Sequence, residues 1–173
     1  MKAALVLLIL SAVAAFAQDQ DAIAAAEAAC GSKDVKFDAR QDITQHPVPL
    51  PDPNKALVYI IQDIGEAQCT GCALTRVGLD GAWVGANQGS SYFSFSAEPG
   101  ERHLCVNWQS RFEIKSRAFA MANFTAEPGR VYYFRSRVIF TRADYIFDLD
   151  PVNSDQGKFL VASSAFSVSH TKK

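Results

Sequence analysis

The stretch QDIGEAQCTGCALT carries Cys69 and Cys72 in a C-x-x-C arrangement. Such a pair can close a small disulfide, hold a metal, or exchange thiols when it sits at a helix start whose dipole lowers the thiol pKa. Here the flanks read as a loop between strands, and Asp63 and Glu66 disfavour a thiolate. A structural disulfide is therefore the first reading, in keeping with an oxidising compartment. The alternative is a metal-binding or thiol-redox protein centred on this loop. Its fullest form is a Cys3His zinc set of Cys69, Cys72, His103 and Cys105, since His103 and Cys105 lie two apart on one face of a strand. The four cysteines allow three pairings. One of them joins Cys69 to Cys72 and leaves Cys30 for Cys105.

Charged residues offer a second candidate. Arg111, Lys115 and Arg117 share one strand face, and Tyr133, Arg135 and Arg137 share another. If those strands are neighbours, they form a basic, aromatic-edged stripe able to hold an anionic envelope polymer. If not, they are a solvated face with Glu113 as a partner. Asp144, Asp148, Asp150, Asn153 and Asp155 cluster without matching a calcium loop: counted from Asp148, Val152, Asn153 and Phe159 occupy the positions that want a ligand, a glycine and a glutamate. They read as turn formers. No nucleophile elbow, phosphate loop, H-E-x-x-H or dinucleotide fingerprint is present. No catalytic residue and no cofactor is expected.

The elements that must position these residues are mostly strands. ALVYII (56–61) is rich in β-branched residues, and LTRVGLDGAWVG (74–85) reads as a hairpin around Asp80-Gly81. SYFSFSA (91–97) alternates, with Phe93 and Phe95 on one face. RHLCVNW places Leu104, Val106 and Trp108 together, and VYYFRSRVIF places Tyr132, Phe134, Val138 and Phe140 together. The phrases FSAEPG and FTAEPG each run a strand into a Pro-Gly turn and out into the next strand. HPVPLPDP (46–53) is an extended connector, and its His46 an exposed linker residue. A short alanine-rich helix is expected over 18–31. Beyond Asp144 a short helix from Ser154 to about Ser163 competes with an edge strand at FLVA, and the HTKK tail reads as frayed.

Residues 1–17 open with a lysine, continue as an apolar run and close on Ala15-Phe16-Ala17, the order of a secretory signal peptide cleaved near Ala17. A soluble exported chain, periplasmic or extracellular, is expected, with no transmembrane segment after cleavage. The 17 Lys+Arg and 18 Asp+Glu nearly balance, which leaves no global field to gather nucleic acid. The expected architecture is mainly β: an antiparallel β-sandwich, Ig-like or prealbumin-like, over 55–165. A helix and connector precede it (18–54) and a tail follows it (166–173).

The phrases VGLDGAWVGANQGSSYFSF, AEPGERHLCVNW and FTAEPGRVYYFRSR resemble a bacterial family catalogued as domain of unknown function 2846, over roughly 55 to 162. The hairpin followed by PG.H.L.V is also similar to the PEGA surface domains of bacterial envelopes. The resemblance implies a β-sandwich at the cell envelope and brings no activity. The expected function is that of a non-enzymatic binding or structural module, with an envelope polymer or another envelope protein as partner.

Overall fold

The computed structural model describes residues 28–32, 34–64, 74–109, 119–140 and 145–172. Among these residues ten strands follow one another: β1 (Phe37–Asp42), β2 (Ala56–Gln62), β3 (Leu74–Leu79), β4 (Ala82–Gln88), β5 (Ser91–Ala97), β6 (Gly100–Gln109), β7 (Phe119–Ala126), β8 (Val131–Phe140), β9 (Tyr145–Val152) and β10 (Ala165–Thr171). A helix, α1 (Ser154–Ser163), lies between the last two strands. The strands form two packed sheets, β1-β10-β5-β2-β8-β9 and β4-β3-β6-β7. This is a β-sandwich. The smaller sheet is antiparallel throughout, whereas the larger contains two parallel contacts, β5 with β10 and β2 with β8.

Alternation dictates the packing. Val58 and Ile60 of β2, Phe134 and Val138 of β8, and Phe147 and Leu149 of β9 point inward from the larger sheet. Leu104 and Val106 meet them from the smaller sheet, each fully buried. The ALVYIIQ run is buried at every position because β2 is central and covered on both faces. On its outer face Leu57, Tyr59 and Ile61 pack with Leu160 and Val161 of α1. Asn153 caps this helix by accepting a hydrogen bond from the Gln156 amide at 2.9 Å.

The sandwich reaches further than 55–165 at both ends. β1 pairs with β10 from Phe37↔Thr171 to Asp42↔Phe166, so the presumed tail is a sheet strand as far as Thr171. β1 is an edge strand whose sheet partner is β10, a pairing between segments far apart in the chain that neither shows locally. Between β1 and β2, the Tyr92 phenol donates to the Pro47 carbonyl at 3.1 Å, and His46 packs edge-on to the Tyr92 ring. His46 therefore has an aromatic neighbour within the connector's anchor.

Tyr59 carries a testable cost. Its ring stacks on Tyr133 at 5.1 Å and is 2% exposed, yet among the described residues its hydroxyl has no hydrogen-bond partner. Burial, with the neighbouring Tyr133 and Tyr92 phenols, pushes its pKa up to about 12. Tyr59→Phe is expected to raise stability by about 1 kcal/mol near neutral pH, because an unsatisfied buried hydroxyl disappears. The fold favours the neutral phenol, so this group's contribution is intact below pH 10, the ordinary phenol value, and is lost between there and pH 12. The decline is about 1.4 kcal/mol per pH unit. Urea melts of both proteins from pH 7 to 11.5 check the gain and the flatter alkaline limb of the variant.

Candidate functional site: a groove beside the buried disulfide

The outer face of the smaller sheet is covered by the chain that leads into β1. Residues 28–30 are helical, and Cys30 is bonded to Cys105 of β6 with Cα atoms 5.0 Å apart. Both cysteines are buried, at 1% and 0% exposure. We call residues 28–32 and 34–36 the strap. The Ala29 carbonyl accepts from the Gly81 amide at 3.1 Å, and the Ser32 carbonyl accepts from Trp83 Nε1 at 2.7 Å. The Val35 carbonyl accepts from Arg76 Nη1 at 2.6 Å, and Gln109 exchanges two 2.7 Å bonds with the Phe37 backbone.

Arg76 is the polar centre beneath the strap. It lies over the Trp83 ring at 4.3 Å, donates to Asn107 Oδ1, and is only 8% exposed; burial lowers its pKa. Two backbone details let the strap lie this close. Gly78 faces it across the sheet, where an added Cβ would stand 2.2 Å from the Cys30 carbonyl oxygen. At the hairpin, Asp80 (φ 50°) and Gly81 (φ 84°) both adopt the left-handed conformation of a tight two-residue turn. Asp80 then accepts from the His103 amide at 2.8 Å and from Arg102 at 3.0 Å.

Beside the strap a groove of about 640 Å³ opens over β6 and β7. Ala28, Ala29, Met121 and Ala122 form its apolar lining, and Asp80, His103 and Asn123 contribute the polar groups. His103 and Cys105 do share this outer face, as their spacing requires. The strap buries Cys105 and leaves His103 exposed.

The Cys3His set is not formed, because the Cys105 sulfur is bonded to Cys30. Cys69 and Cys72 lie outside the described residues, as do Arg111, Lys115, Arg117, the leader and residues 18–27 of the helix expected over 18–31. Among the described residues no group of three or more His, Cys, Asp or Glu side chains is placed to hold a metal. The Arg135 and Arg137 stripe is matched in charge by its neighbour strand: Arg135 lies opposite Asp150, and Arg137 opposite Asp148. Arg137 bonds Asp148 at 2.5 Å and Asp150 at 2.9 Å, and Tyr133 turns its ring to Tyr59. Two acids against two bases leave no net positive charge on these four residues. The acidic residues read as turn formers are thus partly ion-pair partners.

The groove residues of the strap and of β7 were not legible as a site. FAMANFTA has no charge and no motif, and only its lack of charge marks it in the sequence. No protein-family model matches the chain, and no curated protein matches it either.

Proposed function

We infer that this is an exported, non-enzymatic binding module of the cell envelope, and that its ligand seat is the groove beside the disulfide. The observation that carries the reading is the groove itself. Its volume of about 640 Å³ lies within the range of small-molecule sites, and an apolar lining with a few polar groups is their usual chemistry. The occupant it suits is an amphiphile, with an apolar body against Met121 and the strap alanines and a hydrogen-bonding head near His103 and Asn123. The buried Cys30–Cys105 bond supports an oxidising compartment, and the A-x-A leader order supports export. Among the described residues no helix is long and apolar enough to cross a membrane. Membership of the domain of unknown function 2846 family, or kinship with PEGA domains, belongs to this proposal and rests on the phrases quoted above.

The test is a titration with laurate and with dodecyl maltoside, followed by NMR at the Met121 methyl and the His103 ring. Saturable shifts confined to the groove are expected, with binding at least about tenfold weaker in Ala29→Trp, which fills the groove from the strap side. Shifts that scatter over the surface, or that persist unchanged in Ala29→Trp, overturn the assignment.

A further inference from the structure

The groove runs from apolar to polar along β6 and β7. Residues directly opposed in an antiparallel pair point to the same side of the sheet. The register pairs Cys105 with Met121, His103 with Asn123, and Glu101 with Thr125, all on the outer face. Such rows follow one another at about 7 Å, two strand residues apart. The first row is apolar and lies beside the strap, where Cys105 is bonded to Cys30. The second is an imidazole beside a carboxamide, both exposed. The third is a carboxylate beside a hydroxyl, also exposed. Polarity therefore rises stepwise away from the disulfide.

At the polar end the charge is negative, and the cation beside it is committed elsewhere. One Asp80 carboxylate oxygen accepts from the His103 amide at 2.8 Å, and the other accepts from Arg102 at 3.0 Å. Arg102 alternates with His103 and so belongs to the opposite face of β6. It folds back on its own turn, donating to the Glu98 and Pro99 carbonyls at 2.8 Å each. Among the described lining residues there is no lysine or arginine, and Glu101 adds a second carboxylate one row further on. An anionic head group only accepts hydrogen bonds, and here it would meet carboxylates with no free cation. An ammonium head only donates, so the carboxamide and imidazole N–H groups would face it unpaired. The described lining also holds no aromatic ring to cage a quaternary ammonium. A hydroxyl-rich neutral head both donates and accepts, which is what an imidazole beside a carboxamide requires, and its remaining hydroxyls can donate to the carboxylates.

We propose that the groove selects an amphiphile whose head is a neutral polyol, the sugar of a glycolipid or alkyl glycoside, and that His103 and Asn123 are the residues that recognise it. The inference rests on the groove being a ligand seat and adds which ligand the seat prefers. The tail lies along the Met121 row against the strap alanines. The sugar sits on the His103–Asn123 row, with hydroxyls directed toward Asp80.

Three probes with the same dodecyl-length tail separate the head from the groove: dodecyl maltoside, laurate and dodecylammonium. Each is titrated below its micelle concentration at about pH 8, with the Met121 methyl resonance as readout. Dodecyl maltoside is expected to bind at least about tenfold more tightly than either charged probe. Asn123→Leu keeps the bulk and removes both hydrogen-bonding groups; it is expected to weaken dodecyl maltoside about tenfold and laurate less than about twofold. Asp80→Asn keeps a residue suited to the hairpin turn and leaves Arg102 without its carboxylate, so laurate is expected to bind at least about threefold more tightly. The head assignment is overturned, with the groove still a ligand seat, if a charged probe binds as tightly as dodecyl maltoside or if Asn123→Leu weakens all three alike. Unchanged laurate binding in Asp80→Asn overturns it as well. If none of the three probes moves the Met121 methyl, the ligand seat itself falls and the head assignment falls with it.

Discussion

The Cys30→Ala/Cys105→Ala double variant is expected to lose about 4.5 kcal/mol of stability. The bond joins residues 75 apart in the chain. In the chain-entropy account, its removal frees a loop of that length in the unfolded state, and the cost follows from the logarithm of the loop length. The folded state loses less. The strap keeps its bonds from Gly81, Trp83 and Arg76, and Gln109 still holds the start of β1. Alanine is the right replacement, because serine would leave hydroxyls at sites that are 1% and 0% exposed. For a domain of this size the loss corresponds to a fall in melting temperature of roughly 9 to 18 °C. Urea unfolding of the variant, beside oxidised wild type, checks it. A loss below about 1 kcal/mol would show that the strap and its bond contribute little to the global fold.

Gly78→Ala is expected to cost about 3 kcal/mol, at the upper end of what overpacking by one methyl exacts. The new Cβ would stand 2.2 Å from the Cys30 carbonyl oxygen and 2.8 Å from its carbonyl carbon and Cα. Those are backbone atoms, tied to Cys105 through the disulfide, and cannot rotate away as a side-chain tip would. Either the strap lifts or β3 shifts, and β3 already breaks register against β4 between Val77 and Gly78. In an unobstructed strand the same substitution would be favourable by roughly 0.5 to 1 kcal/mol, so the sign itself is diagnostic. The cost should also depend on the disulfide. Once Cys30 is released, the strap can move, and the penalty should fall to about 1 kcal/mol. A four-protein cycle combining Gly78→Ala with the cysteine pair is thus expected to show coupling near 2 kcal/mol. Additivity within about 0.5 kcal/mol would mean that the glycine is needed for some reason other than the strap.

Much of the local structure was legible because it rests on short-range chemistry. The Asp80-Gly81 pair announces its hairpin since both residues tolerate positive φ, and both adopt it. Alternation in SYFSFSA and VYYFRSRVIF assigns the two faces correctly: Phe93, Phe134 and Val138 point between the sheets, whereas Tyr92 and Tyr133 pack on the opposite face. The helix at Ser154–Ser163 was legible only as one of two possibilities, since FLVA suits either state locally. Its helical form follows from burying Leu160 and Val161 on β2.

The candidate site was far less legible. His103 and Cys105 were placed on one face by their spacing, but Ala28, Ala29, Met121 and Asn123 carry no motif. They form a groove because a disulfide lays one distant segment beside an edge strand. The basic stripe lies only partly within the described residues, and there the ion-pair partners of Arg137 come from a separate strand, since β9 brings Asp148 and Asp150 to it.

By itself, then, the sequence determined the strand periods, the turns, the connector and the class of fold. All of these depend on residues within a few positions of one another. Tertiary structure alone decided who pairs with whom. The repeated Glu-Pro-Gly turns illustrate the division: the residues specify a turn after Ala97 and another after Ala126, and both glycines take positive φ. Only the assembled sandwich shows that each turn carries the chain between sheets, from β5 to β6 and from β7 to β8. Likewise Phe37 finds Thr171, and Cys30 finds Cys105, across separations that no local propensity spans. Those pairings are set by burial of both sheets' inner faces, a property of the whole chain.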